Sequence, residues 1–168
     1  MDRWRAVTLL VLLFAAPSGI ATTPDDADIQ RWISAHEQRS HSQELPPARS
    51  TVVGDLDGDA RHDLAMLYTL KPRAGQSGER RYLAVFKRQR GGARAVLRYH
   101  AHVLVGGSGA AEANRVAILN NTVVVEMLTH RAGDPACCPT RPSTRRYRLT
   151  PKGLIVVKAA AAAKAGGP

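Results

Sequence analysis

The sequence predicts a mainly β protein: an antiparallel β-meander, built as an open sheet, a sandwich or two propeller-like blades, with one short N-terminal helix. Three observations carry this. From Ser50 onward, short runs rich in Val, Leu, Ile, Thr and Tyr alternate with Gly, Asn and Pro turn signals, the pattern of strands joined by hairpins. Asn120-Asn121, Gly91-Gly92 and Pro151-Lys152-Gly153 each fall between two such runs, where a tight turn needs residues that accept positive φ. Ahead of them, Ile29, Trp32, Ile33 and His36 recur at helical spacing.

The chain opens with Arg3 and Arg5, an apolar run over residues 6–16, and Pro17-Ser18-Gly19-Ile20-Ala21 with small residues at 19 and 21. A transmembrane helix takes about 20 apolar residues, so this shorter core reads as an export signal, residues 1–21, removed after Ala21. No Cys follows the run to carry a lipid, and no second apolar segment reaches spanning length. The expectation is a periplasmic or secreted protein with no membrane attachment after cleavage. Residues 22–47 then read as a short helix and a linker. Thr23-Pro24-Asp25-Asp26 supplies a capping hydroxyl, a first-turn Pro and acids at the positive end of the helix dipole. The polar, Pro-ended stretch 39–47 reads as a connection.

Residues 48–158 form the β-domain, with strands expected at 51–54, 64–70, 81–88, 93–105, 113–119, 122–129, 145–150 and 154–158. In the fourth, Leu97, Tyr99, Ala101, Val103 and Val105 alternate with Arg94, Arg98, His100 and His102, giving a core face and a wet face. On that wet face His100 and His102, two residues apart, read either as plain polar surface or as half of a zinc or copper site. The runs 64–68 and 123–125 are apolar on both faces, as in strands covered on both sides. The Ala-rich tail, residues 159–168, is of low complexity and too short to hold a helix alone, so it is expected to be disordered.

Lys and Arg number 24 against 14 Asp and Glu, a formal net charge of +10. Aromatic residues make up only 5%, which leaves few stacking platforms for bases and argues against nucleic acid as the partner. An exported basic chain meets anionic envelope polymers and acidic proteins instead, so the expected partner is a protein or a cell-envelope polymer.

The chemistry-bearing stretch is Gly54-Asp55-Leu56-Asp57-Gly58-Asp59-Ala60-Arg61-His62-Asp63-Leu64-Ala65. Asp55, Asp57, Asp59 and Asp63 stand at offsets 1, 3, 5 and 9 of one loop, and the Arg61 carbonyl falls at offset 7. That spacing suits Ca²⁺, a hard cation that takes six to eight oxygens at about 2.3–2.6 Å. Met66 stands where a helical EF-hand has its Glu, and strand-like runs flank the loop, so the loop joins two strands. The stretch resembles the calcium loops of FG-GAP and VCBS repeats, the blade units of integrin-like β-propellers, whose pattern is Gly-Asp-(Leu/Phe)-(Asp/Asn)-Gly-Asp-Gly-x-x-Asp-(Leu/Ile)-Ala. The match runs from Gly54 to Ala65 with one departure, Ala60 in place of Gly, where a left-handed backbone costs about 1 kcal/mol. The resemblance implies a Ca²⁺ site at Asp55, Asp57, Asp59, Arg61 and Asp63; the loop is not repeated along the chain, which excludes a full propeller.

The only cysteines, Cys137 and Cys138, are adjacent in Gly133-Asp134-Pro135-Ala136-Cys137-Cys138-Pro139-Thr140. In an exported chain their one intrachain pairing is with each other, as a vicinal disulfide that stiffens the turn. This segment resembles an Asp-x-x-Cys-Cys-Pro-(Ser/Thr) loop of small exported bacterial proteins. Gly106-Gly107-Ser108-Gly109-Ala110 has Ala where a nucleophile elbow has its second Gly, and no triad accompanies it. Glu112, Glu126 and Asp134 are isolated in sequence.

The reading these features support is an exported, non-catalytic, calcium-stabilised β-module that binds another macromolecule in the bacterial envelope. Its sharper form, implied by the resemblance, is an immunity protein that inhibits a cell-wall-degrading effector. The alternatives are an enzyme, either a thiol oxidoreductase using Cys137 and Cys138 or a metal-dependent hydrolase using the Asp loop, and a binder of anionic envelope polysaccharide through Arg88, Arg90, Arg94, Arg98, Arg145, Arg146 and Arg148.

Overall fold

The computed structural model describes residues 24–73, 78–92 and 94–157, so the export signal, Thr23 and the Ala-rich tail of the sequence reading lie outside the described residues. In chain order the elements are α1 (Pro24–Ser40), β1 (Ser42–Glu44), a 3₁₀ turn (Pro46–Ala48), β2 (Ser50–Gly54), β3 (Asp63–Pro72), β4 (Arg80–Gly91), β5 (Arg94–Gly107), β6 (Ala111–Leu119), β7 (Thr122–Thr129), β8 (Arg141–Thr150) and β9 (Gly153–Val157). The strands form one open, antiparallel sheet of nine, ordered β1-β3-β4-β5-β6-β7-β8-β9, and β2 shares the β1 edge of β3. The hairpins follow the turn residues: Asn120 and Asn121 adopt φ 49° and 57° between β6 and β7, and Gly153 φ 126° at the start of β9.

The sheet doubles back between β5 and β6, where its ladder shrinks to Gly107 opposite Ala111. Two glycines make this corner. A Cβ on Gly106 would stand 2.2 Å from the Ala111 carbonyl oxygen, and one on Gly107 2.3 Å from the Glu79 carbonyl oxygen. Only residues without a side chain allow the backbones so close. The halves then face each other across one core, Ala65, Leu67, Leu83, Val85 and Val105 on one side and Val116, Val123, Val125, Met127 and Tyr147 on the other. On the opposite face of β3, β4 and β5 lies α1, whose Ile29, Trp32 and Ile33 pack on Leu64, Met66, Tyr68, Ala84, Phe86 and Leu97. β3 is therefore a middle strand, its even-numbered residues turned to the helix and Ala65 and Leu67 to the other half-sheet. This is why 64–68 is apolar throughout.

The structure corrects two expectations. The stretch 39–47 is not a free linker: α1 runs to Ser40, β1 pairs with the end of β3, and Ser42 and Glu44 are buried. Its polar composition is explained by partners, since the Glu44 amide donates to Glu37 Oε1 (2.7 Å) and its carboxylate takes Arg49 Nε (2.9 Å) and Nη2 (2.5 Å). Secondly, β5 does not keep one alternation. Val85 stands opposite Ala101 but Phe86 opposite Tyr99, so a bulge at His100 shifts the phase. Tyr99 and His102 both face α1, with Tyr99 stacked on Trp32 at 4.8 Å and His102 4.8 Å from the His36 ring. His100 bonds instead to the Thr150 carbonyl oxygen (2.9 Å). The zinc or copper pair is thereby taken apart.

Under the helix, His36 Nδ1 shares a hydrogen bond with the Tyr68 hydroxyl (2.8 Å) and His102 Nδ1 with the Tyr99 hydroxyl (2.7 Å). Burial, followed by the nearby His102 and Arg39, pushes His36 down to about 4. Burial lowers His102 as well. A histidine whose folded pKa lies below its unfolded value favours folding while it stays neutral; as pH falls through 6.5 towards 4 the unfolded chain takes the proton first and stability is lost. Acidification through that window is expected to cost about 2 kcal/mol more in the native chain than in His36→Gln, read by urea melts at each pH. Equal losses in both chains would contradict it.

Candidate functional site

The acidic loop joins β2 to β3 and is pinned at both ends. Leu56 is inserted into the core between the half-sheets, and Asp63, the first residue of β3, is fully buried. The Asp63 carboxylate accepts the Leu56 amide at Oδ2 (3.1 Å) and the Arg88 amide at Oδ1 (2.8 Å). Burial raises its pKa, and these two amides offset only part of the rise. Asp55 Oδ1 accepts the amides of Asp57 (3.2 Å) and Gly58 (2.7 Å), and Oδ2 that of Ala60 (3.0 Å). Desolvation works to raise Asp55, but the amides of Ala60, Gly58, Asp57 and Asp59 outweigh it and hold the carboxyl below its usual range. The Asn121 side chain donates to the Asp55 carbonyl oxygen (3.1 Å), tying the loop to the β6–β7 hairpin.

Of the five residues the sequence reading names, the structure brings three together. Asp55, Asp57 and Asp63 each offer a carboxylate oxygen within 4.8 Å of the others. Two oxygens on opposite sides of one Ca²⁺, each at about 2.4 Å, are about that far apart, so the donor set fits the ion. Asp59 turns to Arg61 instead: Oδ1 accepts the Arg61 amide (2.9 Å) and Oδ2 the Arg61 guanidinium (2.9 and 2.5 Å). The Arg61 amide, then its side chain, lower the Asp59 pKa. The Arg61 carbonyl accepts the Asp63 amide (3.1 Å). The sequence reading missed Lys87, on β4, whose ammonium pairs with Asp57 Oδ2 and whose pKa is raised chiefly by that bond. Only the β3–β4 register carries it there.

Ala60 adopts φ 61°, the left-handed conformation that the calcium-loop pattern assigns to Gly. Ala60→Gly is accordingly expected to stabilise the loop by about 0.5–1 kcal/mol and raise Tm by a few degrees in calorimetry. A lower Tm would contradict the strain.

Cys137 and Cys138 are joined as a vicinal disulfide in an exposed loop. That loop is organised by Asp134, whose carboxylate accepts the Arg131 amide (3.0 Å) and the Thr140 amide (2.9 Å) and hydroxyl (2.8 Å). The Arg131 amide above all, with Thr140, holds Asp134 down at about 2. The arginines proposed to meet polysaccharide are scattered. Arg88 is tied to Asp25 of α1 (2.6 and 3.1 Å), and Arg94 has no described side chain. Arg145, Arg146 and Arg148 on β8 are exposed, with no ion pair to a described carboxylate. Comparison with family models, curated proteins and solved structures finds no match to this chain.

Proposed function

We propose that the chain is an exported, non-catalytic β-module that holds Ca²⁺ in loop 55–63 and binds another macromolecule of the bacterial envelope. The observation that carries this is the convergence of Asp55, Asp57 and Asp63 on one point of a loop already ordered by its own backbone amides. These three would hold the ion; Asp59, a further donor of the sequence pattern beside the Arg61 carbonyl, would have to leave the Arg61 guanidinium to join them. The ion supplies charge neutralisation and ties β2 to β3; binding groups then sit on loops held by a rigid sheet. An immunity protein against a cell-wall-degrading effector is the sharper form of this reading and rests on the resemblance of the Asp loop.

The exposed Arg145, Arg146 and Arg148 favour a second reading, an anionic envelope polysaccharide as the partner. A pull-down from periplasmic extract, with Ca²⁺ or EGTA and across a salt series, tests both. A protein captured with Ca²⁺, lost with EGTA and retained in high salt is the expected result. Capture that collapses with salt and is competed by soluble polysaccharide supports the second reading, because exposed charge pairs are screened within about 10 Å at 0.1 M salt. Identical recovery in all conditions contradicts the proposal.

A further inference from the structure

The Gly106-Gly107-Ser108-Gly109 turn plays no part in the calcium site, yet it builds a walled cleft. Where the sheet doubles back, a cavity of about 350 Å³ opens between the ends of β3 and β4, the β5–β6 turn and the cysteine loop, lined by Thr69, Glu79, Arg81, Ser108, Glu112 and Cys137 among others. Its walls are wired together. The Glu79 amide donates to Ser108 Oγ (2.9 Å), the Ser108 amide to the Glu79 carbonyl oxygen (3.0 Å), and Gly109 lies so near the cysteine loop that a Cβ there would be 3.2 Å from the Ala136 carbonyl oxygen. The cleft is preformed, and at this size it suits a small ligand.

Arg81 is the unusual occupant. Its Nη1 donates to the Ala48 carbonyl oxygen (3.0 Å) and to Thr69 Oγ1 (2.9 Å), while its Nε is buried without a partner among the described residues. No described carboxylate forms an ion pair with it. Glu112 acts on its charge through space without touching it. A half-buried guanidinium with no direct counter-ion is costly, and an incoming carboxylate answers that cost at Nη2, the one nitrogen of the group that is neither buried nor bonded to a described residue. The wall also carries Glu79 and Glu112, both exposed, which disfavours a simple anion such as phosphate. Ala111, Ala113 and Pro139 leave room beside them for small apolar groups.

We propose that this cleft binds a zwitterionic small ligand, an amino acid or short peptide of small residues, with its carboxylate on Arg81 and its ammonium facing Glu79 and Glu112. Dialanine is the probe, compared with dialanine amide and N-acetyl-dialanine by isothermal calorimetry on the purified chain in EGTA. The cleft shares no residue with loop 55–63, so this titration reads the cleft whatever the fate of the calcium site. Dialanine should bind and raise Tm, and each cap should weaken binding at least tenfold. Arg81→Gln should abolish the difference between dialanine and its amide. Because Arg81 also braces Ala48 and Thr69, a second variant guards against simple unfolding: Glu79→Gln/Glu112→Gln changes only exposed side chains and should bind dialanine and N-acetyl-dialanine alike. Absence of dialanine binding, indifference to the caps, or a double variant that still discriminates against N-acetylation would each overturn the proposal.

Discussion

Asp63→Ala is expected to destabilise the domain by about 3 kcal/mol even in EGTA, the consequence of one buried and one part-buried amide losing their acceptor. The Asp63 side chain accepts the Leu56 and Arg88 amides at the floor of the loop, and no solvent reaches it in the folded state. Removing a buried acceptor costs about 1–3 kcal/mol for each donor left unpaired. Asp63→Asn keeps one acceptor oxygen but sets an NH₂ against one amide, so it should fall between the native chain and Asp63→Ala. Urea melts in EGTA measure both. A loss below about 1 kcal/mol for Asp63→Ala would mean that the floor of the loop does not depend on this carboxylate.

Trp32→Ala should cost more, about 3–5 kcal/mol, the range for removing a large aromatic side chain from a core. Trp32 joins the helix to the sheet through Tyr99, stacked at 4.8 Å, and edge-on contacts to Tyr68 (5.4 Å) and Phe86 (5.5 Å). Its loss is also expected to reach the acidic loop. Arg88 holds Asp25 of the helix with its guanidinium, the His62 carbonyl oxygen with Nε, and Asp63 with its amide, so a loosened helix frees one end of that chain of bonds. Hydrogen exchange should therefore accelerate at the amides of Leu56 and Arg88 in Trp32→Ala as well as in α1. Acceleration confined to α1 would show that the helix and the loop are independent.

Much of this was legible in the sequence because local signals and burial agree. Asn120-Asn121 marks a tight turn by its tolerance of positive φ, and the doubly apolar run 64–68 marks a strand covered on both faces; both conclusions hold. Legibility fails where long-range pairing decides. The bulge at His100 is set by the register of β4 against β5, and no periodicity within β5 reveals that His102 joins the helix side. Glu44 looks like a linker residue until Arg49 and Glu37 are brought to it, and Ser42 until it pairs with Pro72 and is buried at the edge of the sheet. At the site, spacing suggested the donor types, and the resemblance to calcium loops marked Ala60 as the left-handed position. Neither could show that Asp59 turns to Arg61 or that Lys87 reaches Asp57 from a neighbouring strand. The cleft at the sheet corner was invisible for the same reason, since Arg81, Ser108, Glu112 and Cys137 meet only after the sheet has doubled back.

The most direct test of calcium binding at loop 55–63 is a thermal melt of the native chain and of Asp57→Ala in EGTA and then in excess Ca²⁺, with calorimetric titration of the ion. Asp55, Asp57 and Asp63 repel one another when no cation lies between them, and an ion that binds only the folded state adds about 2.7 kcal/mol at a hundredfold excess over Kd. The native Tm should rise with Ca²⁺, with one ion bound per chain, while Asp57→Ala stays folded and does not respond. A Tm unchanged between EGTA and Ca²⁺, with no heat of binding, would contradict the calcium site and leave the loop as an acidic turn held by its own amides.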